Sequence, residues 1–436
     1  MKQTEFKKRR KQLMQQIGKG NIGLIASAST RTRNRDVDYP FRQDSDFYYL
    51  TGFNEPEALA VFIPGRTQGQ YLLFCREYDE KKALWEGAHA GLGGATRDYG
   101  ADDAFPIDDL DEILPGLLEN KAKVFYPMGQ NSDLDHHLLD WVHHLRSQSR
   151  TGICAPLELV SLEQILHEMR LIKSAAELQL MRNAAEISAQ AHVKAMQSCK
   201  PGLFEYQIEA EMIYHFQQRG LRAVAYPSIV ATGKNACVLH YTDNKDKLKH
   251  GDLLLIDAGA ECDHYAADIT RTFPVSGRFT EPQKLLYQLV LEAQSAALAQ
   301  IKPGEPWNAA HDASVNVLTK GLVALGLLKG KVSKLIKNEA YKAFYMHRIG
   351  HWLGMDVHDV GDYKVAGDWR LLEAGMVLTV EPGLYIPADC KTVAEQWRGI
   401  GIRIEDDVLV TADGHEVLTG LAPKTVEEIE ALMQAA

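Results

Sequence analysis

The sequence has no Cys-x-x-Cys pair, no His-Glu-x-x-His, no Gly-x-Ser-x-Gly and no apolar run approaching the roughly 18 residues of a membrane span. Zinc ribbons, the common zinc-protease signature, nucleophile-elbow hydrolases and helical membrane proteins are thereby set aside. Six cysteines are scattered between Cys75 and Cys390; they suggest no disulfide framework and read as buried thiols of a cytoplasmic protein. Basic charge is also short. Lys plus Arg number 48 against 58 for Asp plus Glu, and the net charge of −10 offers no general attraction to nucleic acid or an anionic membrane. The Lys- and Arg-rich start, Met1 to Gly20, lacks the apolar stretch of a signal peptide, and Phe6, Leu13, Met14 and Ile17 instead mark one face of a helix.

What is present is ample core material: 45% hydrophobic and 24% charged residues in a chain of 436. That is the balance of a folded protein too long for one core, so two domains are expected. Short apolar strands at Gly23 to Ala26, Ala58 to Ile63 and Tyr71 to Cys75, with a helix over Asp133 to Leu145, describe an α/β domain over 1–160. The pattern loosens around Gly152 to Ser161, and a second domain of helices and strands (α+β) takes 161–436. Two tempting signals fail in the first domain. Gly18 to Gly23 fits G-x-G-x-x-G but follows a helix where a dinucleotide site needs a strand. His136, His137, His143 and His144 lie on the polar side of a helix whose other side carries Leu138, Val142 and Leu145.

The second domain repeats itself. Ser174 and Glu177 form a capping box that starts a helix, which stops at Lys200-Pro-Gly202, and a second helix ends at Gly220. Thr280 to Gln283 starts another helix, Lys302-Pro-Gly304 stops it, and a further one follows from about Trp307. Gly251 to Asp257 and Gly375 to Glu381 share one plan, in which a mostly apolar strand carries a carboxylate six residues after a Gly. These echoes imply a duplicated helix–helix–strand unit with a pseudo-two-fold axis.

Each shared carboxylate ends an apolar strand, and an ionised acid buried there needs a compensating charge. A tight turn near Cys262 and Asp263 would make Asp257 and Asp268 direct cross-strand partners, with Cβ atoms about 4.5 to 5.5 Å apart. Two acids so close ask for a cation between them; the plainer alternatives are a turn cap or a pair with Arg271. Strand alternation puts Arg403 and Glu405 on one face, which a solvent-exposed strand would also explain. His351 and His358 sit in a glycine-punctuated cluster, while His240 would otherwise read as a strand histidine bonded to a neighbour.

Taken together, Ile256-Asp-Ala-Gly259, Asp268-Ile-Thr-Arg-Thr-Phe273, His351-Trp-Leu-Gly354, Asp356-Val-His-Asp359, Thr379-Val-Glu-Pro-Gly-Leu-Tyr385 and Arg403-Ile-Glu-Asp-Asp407 resemble the pita-bread metallopeptidases. The segment Asp38 to Ala58 is similar to aminopeptidase P in particular. The resemblance implies metal ligation by Asp257, Asp268, His351, Glu381 and Glu405, with Asp268 and Glu405 bridging two Mn(II) ions; Co, Zn or Fe are replacements. It implies removal of the N-terminal residue from peptides with proline second, through a hydroxide held between the ions. His358, Glu381, His240 and Arg403 take catalytic roles in that scheme. His240, His351, Tyr226, Arg150, Asp36 and Trp85 face substrate, the last named beside a Gly-rich stretch without a secure match. The resemblance also implies an N-terminal domain that governs substrate access and assembly as a homotetramer or homodimer. A prolidase acting on Xaa-Pro dipeptides is the alternative, and a non-catalytic binding module is a remoter one.

Overall fold

The computed structural model describes residues 1–435, and the chain divides into two compact units, Met1–Met169 and Arg170–Ala436. The first helix, Gln3–Ile17, buries Phe6, Leu13 and Ile17 as the apolar spacing requires. It also buries Arg9 and Arg10. Their guanidinium groups donate to the carbonyls of Tyr49 and Leu50 at 3.1 and 2.9 Å and lie 4.0 and 4.3 Å from the ring centres of Tyr49 and Tyr71. Carbonyl dipoles and ring faces thus replace lost hydration. The helix ends at Gly18, whose φ of +77° suits glycine, and the strand Ile22–Ala26 comes only after it.

The N-terminal unit is built on a six-stranded mixed sheet, in the order Asp103–Pro106, Tyr71–Cys75, Leu59–Phe62, Ile22–Ala26, Lys123–Tyr126, Glu158–Ser161. The loosened stretch near 152–161 therefore contains one of the sheet's two edge strands, which pairs in parallel with Lys123–Tyr126. The helix Ser132–Ser147 packs Leu134, Leu138, Trp141, Val142 and Leu145 inward. Its four histidines are exposed; His137 bonds Asp111 and His144 bonds Gln148.

In the C-terminal unit the repeat is visible in the backbone. Ala175–Ser198, capped by the Ser174–Glu177 box, and Glu205–Gln218 precede an antiparallel sheet ordered Ile229–Thr232, Leu253–Asp257, Thr270–Pro274. Glu281–Leu298, capped by the Thr280–Gln283 box, and Asn308–Ala324 precede a sheet ordered Val377–Val380, Asp406–Val410, His415–Val417. The paired stops share conformation as well as sequence: Gly202 and Gly304 have φ of +99° and +86°, and Gly251 and Gly375 have +90° and +97°. The apolar core falls into two main clusters, one around the first sheet with residues such as Leu254, Ile256 and Phe273 and one around the second with Leu378, Val380, Val408 and Val410.

One register differs from expectation. The turn centres on Asp263 and His264, both with positive φ, so Cys262 faces Tyr265 and Asp257 faces Thr270 rather than Asp268. Moving the turn centre by one residue shifts the pairing by two, which keeps Asp257 and Asp268 on one face but makes them diagonal neighbours. Gly259 lets the hairpin cross itself, because a Cβ there would overlap the carbonyl of Ala267.

Gly259→Ala is accordingly expected to cost about 1–3 kcal/mol or more through overpacking. Gly116→Ala, in the helix Leu110–Leu118 with open space around the added carbon, should be neutral or stabilising. Thermal midpoints of the two variants check this, and an unchanged midpoint for Gly259→Ala would mean that the crossing can open.

Candidate active site

Asp257 is the last residue of a fully buried strand, and its two oxygens have different partners. Arg403 Nη2 donates to Oδ2 at 2.6 Å. The Tyr226 hydroxyl lies 2.6 Å from Oδ1 and 2.5 Å from Asp268 Oδ1. A phenol has one proton, so it serves only one of the two acids at a time. Burial and the adjacent carboxylates hold the Tyr226 pKa well above its ordinary value, which keeps it a donor.

Glu405 sits just before the strand Asp406–Val410, where the two half-sheets meet. Its amide donates to the Thr270 carbonyl at 3.1 Å, and the Thr270 hydroxyl donates to its Oε2 at 2.6 Å. Arg403 Nε donates to the same hydroxyl at 3.0 Å, and Nη1 donates to Tyr385 Oη at 3.0 Å. With Arg403 4% and Glu405 2% exposed, the solvent-facing strand is excluded. Thr270 and Tyr385 were not singled out from sequence, although period-two alternation from Asp268 already put Thr270 on the acid face.

His351 reaches the same cavity because Ile349 to Leu353 runs beside the strand Val377–Val380. Glu381 N donates to Ile349 O at 2.7 Å, Thr379 N to His351 O at 2.9 Å and Leu353 N to Val377 O at 3.0 Å. Gly350 permits this approach, since a Cβ would strike the Thr379 carbonyl. The ring's Nδ1 lies 3.0 Å from Trp352 O; placing the proton there turns the Nε2 lone pair toward the acids. Nε2 is 3.4 Å from Asp268 Oδ2 and 3.7 Å from Glu381 Oε1. The His358 ring centre is 4.3 Å from that of His351.

Four carboxylates thus converge with one guanidinium and one imidazole. Burial, with repulsion from Asp268, Glu381 and Asp257, raises Glu405 well above the ordinary range. Burial pushes Glu381 up to about 7 and raises Asp257 despite Arg403. Burial also opposes charge on Asp268, yet the bond and charge of His351 hold its pKa low. His351 is disfavoured as a cation by burial but raised to about 9, by Asp268 first. Ligating atoms of Asp268, His351 and Glu405 all lie within 4.8 Å of one another. This oxygen-rich donor set, short of positive charge, fits hard divalent cations.

A cavity of about 450 Å³ contains the five acid and imidazole groups together with Tyr226, His240, His347, Arg348, His358 and Arg403. His240 lies in a turn, exposed, rather than in a strand. Asp36, Trp85 and Arg150 belong to the N-terminal unit; all three are exposed, Trp85 by 89%, and none lines this cavity. His347, absent from the sequence-based set, bonds Tyr385 through Nε2 at 2.9 Å.

The loop carrying His351 and His358 is fastened from below. Asp359 accepts from Arg170 Nη2 at 2.5 Å and Lys173 Nζ at 3.0 Å, and Arg170 also bonds Asp356 at 2.7 Å. Burial opposes the Asp359 charge, but Lys173 and Arg170 hold its pKa below the usual value. A carboxylate depressed on folding stabilises above its unfolded pKa and loses that contribution as pH falls through the folded one. Asp359→Asn removes the negative charge held between buried Arg170 and Lys173 and should cost about 3–5 kcal/mol at neutral pH. In urea unfolding the wild-type advantage should shrink below pH ~4; a pH-independent gap would refute the ionic account.

The description of metallopeptidase family M24 matches residues 179–412, and that of the aminopeptidase P N-terminal domain matches 6–126. A Xaa-Pro aminopeptidase of Escherichia coli is 45% identical over 433 residues, covering 99% of this chain and 98% of the relative. An aminopeptidase structure from Pseudomonas aeruginosa superposes with a TM-score of 0.99 at 58% identity, covering 100% of this chain and 98% of the other. A zinc-substituted E. coli aminopeptidase P in complex with product gives a TM-score of 0.97 at 44% identity, covering 100% and 99%. With both domain descriptions matched in order and relatives spanning nearly its whole length, the chain belongs to metallopeptidase family M24, in its aminopeptidase P branch.

Proposed function

We propose that the chain is a Xaa-Pro aminopeptidase, releasing the N-terminal residue from peptides whose second residue is proline. The observation that carries this reading is the convergence of Asp257, Asp268, His351, Glu381 and Glu405 in one cavity of a chain that resembles aminopeptidases over nearly its full length. Those five residues would hold two divalent cations. Charge supports more than one ion, because a single divalent ion and Arg403 together carry +3 against the −4 of the four buried carboxylates. Bound ions supply Lewis acidity, lowering the pKa of water and polarising the scissile carbonyl.

The chain's own groups do the rest. Glu381 takes the proton from the attacking water and returns it to the departing proline nitrogen. His358 and His240 present N–H donors to the negative charge that develops on the carbonyl oxygen. Arg403 fixes Asp257 through the 2.6 Å bond, a positioning role that sets ligand orientation. Proline lacks the N–H that strand-like substrate binding uses, so a shaped cavity lined by Tyr226 and the histidines suits it better than an extended cleft.

The same reading takes Mn(II) as the working metal, supported by the oxygen-rich donors, with Zn, Co or Fe able to replace it. It takes the cytoplasm as the location, supported by the six cysteines being unpaired; among the described residues no helix is long and apolar enough to cross a membrane. It takes a homodimer or homotetramer as the assembly, supported by Leu84 and Trp85, 85% and 89% exposed on one short helix. It keeps Asp36, Trp85 and Arg150, all exposed, as substrate contacts.

Product release from Ala-Pro and Ala-Pro-Ala-Ala, by metal-stripped protein reloaded with Mn(II), tests the assignment. Cleavage of the longer peptide only after reloading is expected, with Glu381→Ala slower by at least a hundredfold. Cleavage of the dipeptide alone would identify a dipeptidase, and silence on both would leave a binding module.

A further inference from the structure

Two guanidinium groups line the cavity, and only one is committed to it. Arg403 is buried and bonded to Asp257, Thr270 and Tyr385. Arg348 is exposed and has no carboxylate partner among the described residues. It is nevertheless held. Its backbone carbonyl accepts from His347 Nδ1 at 2.8 Å, its Nη1 donates to Asn308 Oδ1 at 3.1 Å, and its guanidinium carbon lies 5.3 Å from the Trp369 ring centre. Asn308 is itself oriented, because its Nδ2 donates to Asp312 Oδ2 at 2.8 Å and so turns its oxygen toward the arginine. Lys364 Nζ lies 4.6 Å from the same Trp369 ring, also without an acid partner among the described residues. Two cations thus gather on one indole, neither with a carboxylate partner among the described residues, although the chain carries more acids than bases.

We propose that Arg348 is a specificity-determining residue that receives the terminal carboxylate of a short peptide substrate, an inference that rests on the peptidase reading above. A peptide whose amino end lies at the acids and histidines runs its remaining residues outward. The one charged group that every such peptide carries at the far end is the carboxylate. A planar guanidinium with most of its five N–H donors unused fits two carboxylate oxygens side by side, which an ammonium does not. Stacking on Trp369 and the bond to Asn308 limit the side-chain freedom lost when that contact forms.

The test measures kcat/KM for Ala-Pro, Ala-Pro-Ala, Ala-Pro-Ala-Ala and Ala-Pro-Ala-Ala-Ala, each as free acid and as C-terminal amide, on the Mn(II)-loaded full chain. At one length the wild type should prefer the acid by about three- to tenfold, the scale of an exposed but preorganised ion pair, with the difference residing in KM. Arg348→Met should bring that acid-to-amide ratio close to one, Arg348→Lys should restore part of it, and Lys364→Met should keep it. Because both forms are read on the same preparation, the ratio is independent of how much variant protein is folded. An acid-to-amide ratio of one at every length in wild type, or a ratio that survives Arg348→Met, would overturn the assignment while leaving the peptidase reading intact. A wild type that cleaves none of the peptides would instead sink the peptidase reading and this inference with it.

Discussion

Repulsion among Asp257, Asp268, Glu381 and Glu405 is the constraint around which the C-terminal unit is organised. Two like charges about 4 Å apart cost on the order of 4 kcal/mol even at an effective dielectric of 20, and here four acids share one cavity. Such a group stays together only if each member is fixed by structure that repulsion cannot push aside. The ends of buried strands, the Thr270–Glu405 and Arg403–Asp257 bonds and the abutment of two half-sheets supply that rigidity. The acids then offer a site whose missing component is positive charge.

Glu405, Asp406 and Asp407 show how neighbouring acids of similar chemistry acquire three different roles. Glu405 faces the cavity and is pushed up by burial and repulsion. Asp406 faces the other way, bonded to Arg271 at 2.7 Å and Lys424 at 2.6 Å; burial opposes its charge, but those cations bring its pKa to about 2. Asp407 has both oxygens on the Asp268 amide, at 3.1 and 3.2 Å, and burial first, then Asp268, raises it well above normal. Asp406 therefore clamps the seam to the C-terminal segment, while Asp407 fixes the backbone of a cavity acid. Arg271, suggested as a possible partner of Asp257 or Asp268, belongs to this clamp.

Legibility followed locality. Capping boxes at Ser174 and Thr280, helix stops at Gly202 and Gly304, and strands ending in Asp257 and Glu381 are encoded within a few residues, and the structure has them. The hairpin register differs by two because two adjacent non-glycine residues, Asp263 and His264, adopt positive φ; Asp and His are types that tolerate this conformation, but so does the Asp263 of the expected turn, and the choice between the two turns is not local. The burial of Arg9 and Arg10 was hidden for another reason. Their partners, Tyr49, Leu50 and Tyr71, lie 40 residues or more away in sequence, and a buried arginine reads like a surface one until its carbonyl and ring contacts are known. Arg348 was invisible as an individual, since its meaning comes from Asn308 and Trp369, which approach from different segments.

The groups of the cavity divide by how they are mounted. The acids stand at strand ends, whereas His240 and His358 are exposed on turns, where a side chain adapts to a substrate more readily. Such turns hold catalytic geometry only if they are tied at the base, and each has a buried carboxylate there. Beneath His358 it is Asp359, gripped by Arg170 and Lys173. Beneath the loop of His240 it is Glu205, which accepts from Thr232 N, Asn235 Nδ2, Tyr241 Oη and Asp246 N at 2.7 to 3.0 Å. One anchor uses cations and the other only neutral dipoles, so the first resists distortion through charge and the second through the number of its bonds. Both arrangements leave the loop tip free to meet a substrate while denying its base any alternative position, which is what donors to a short-lived oxyanion require.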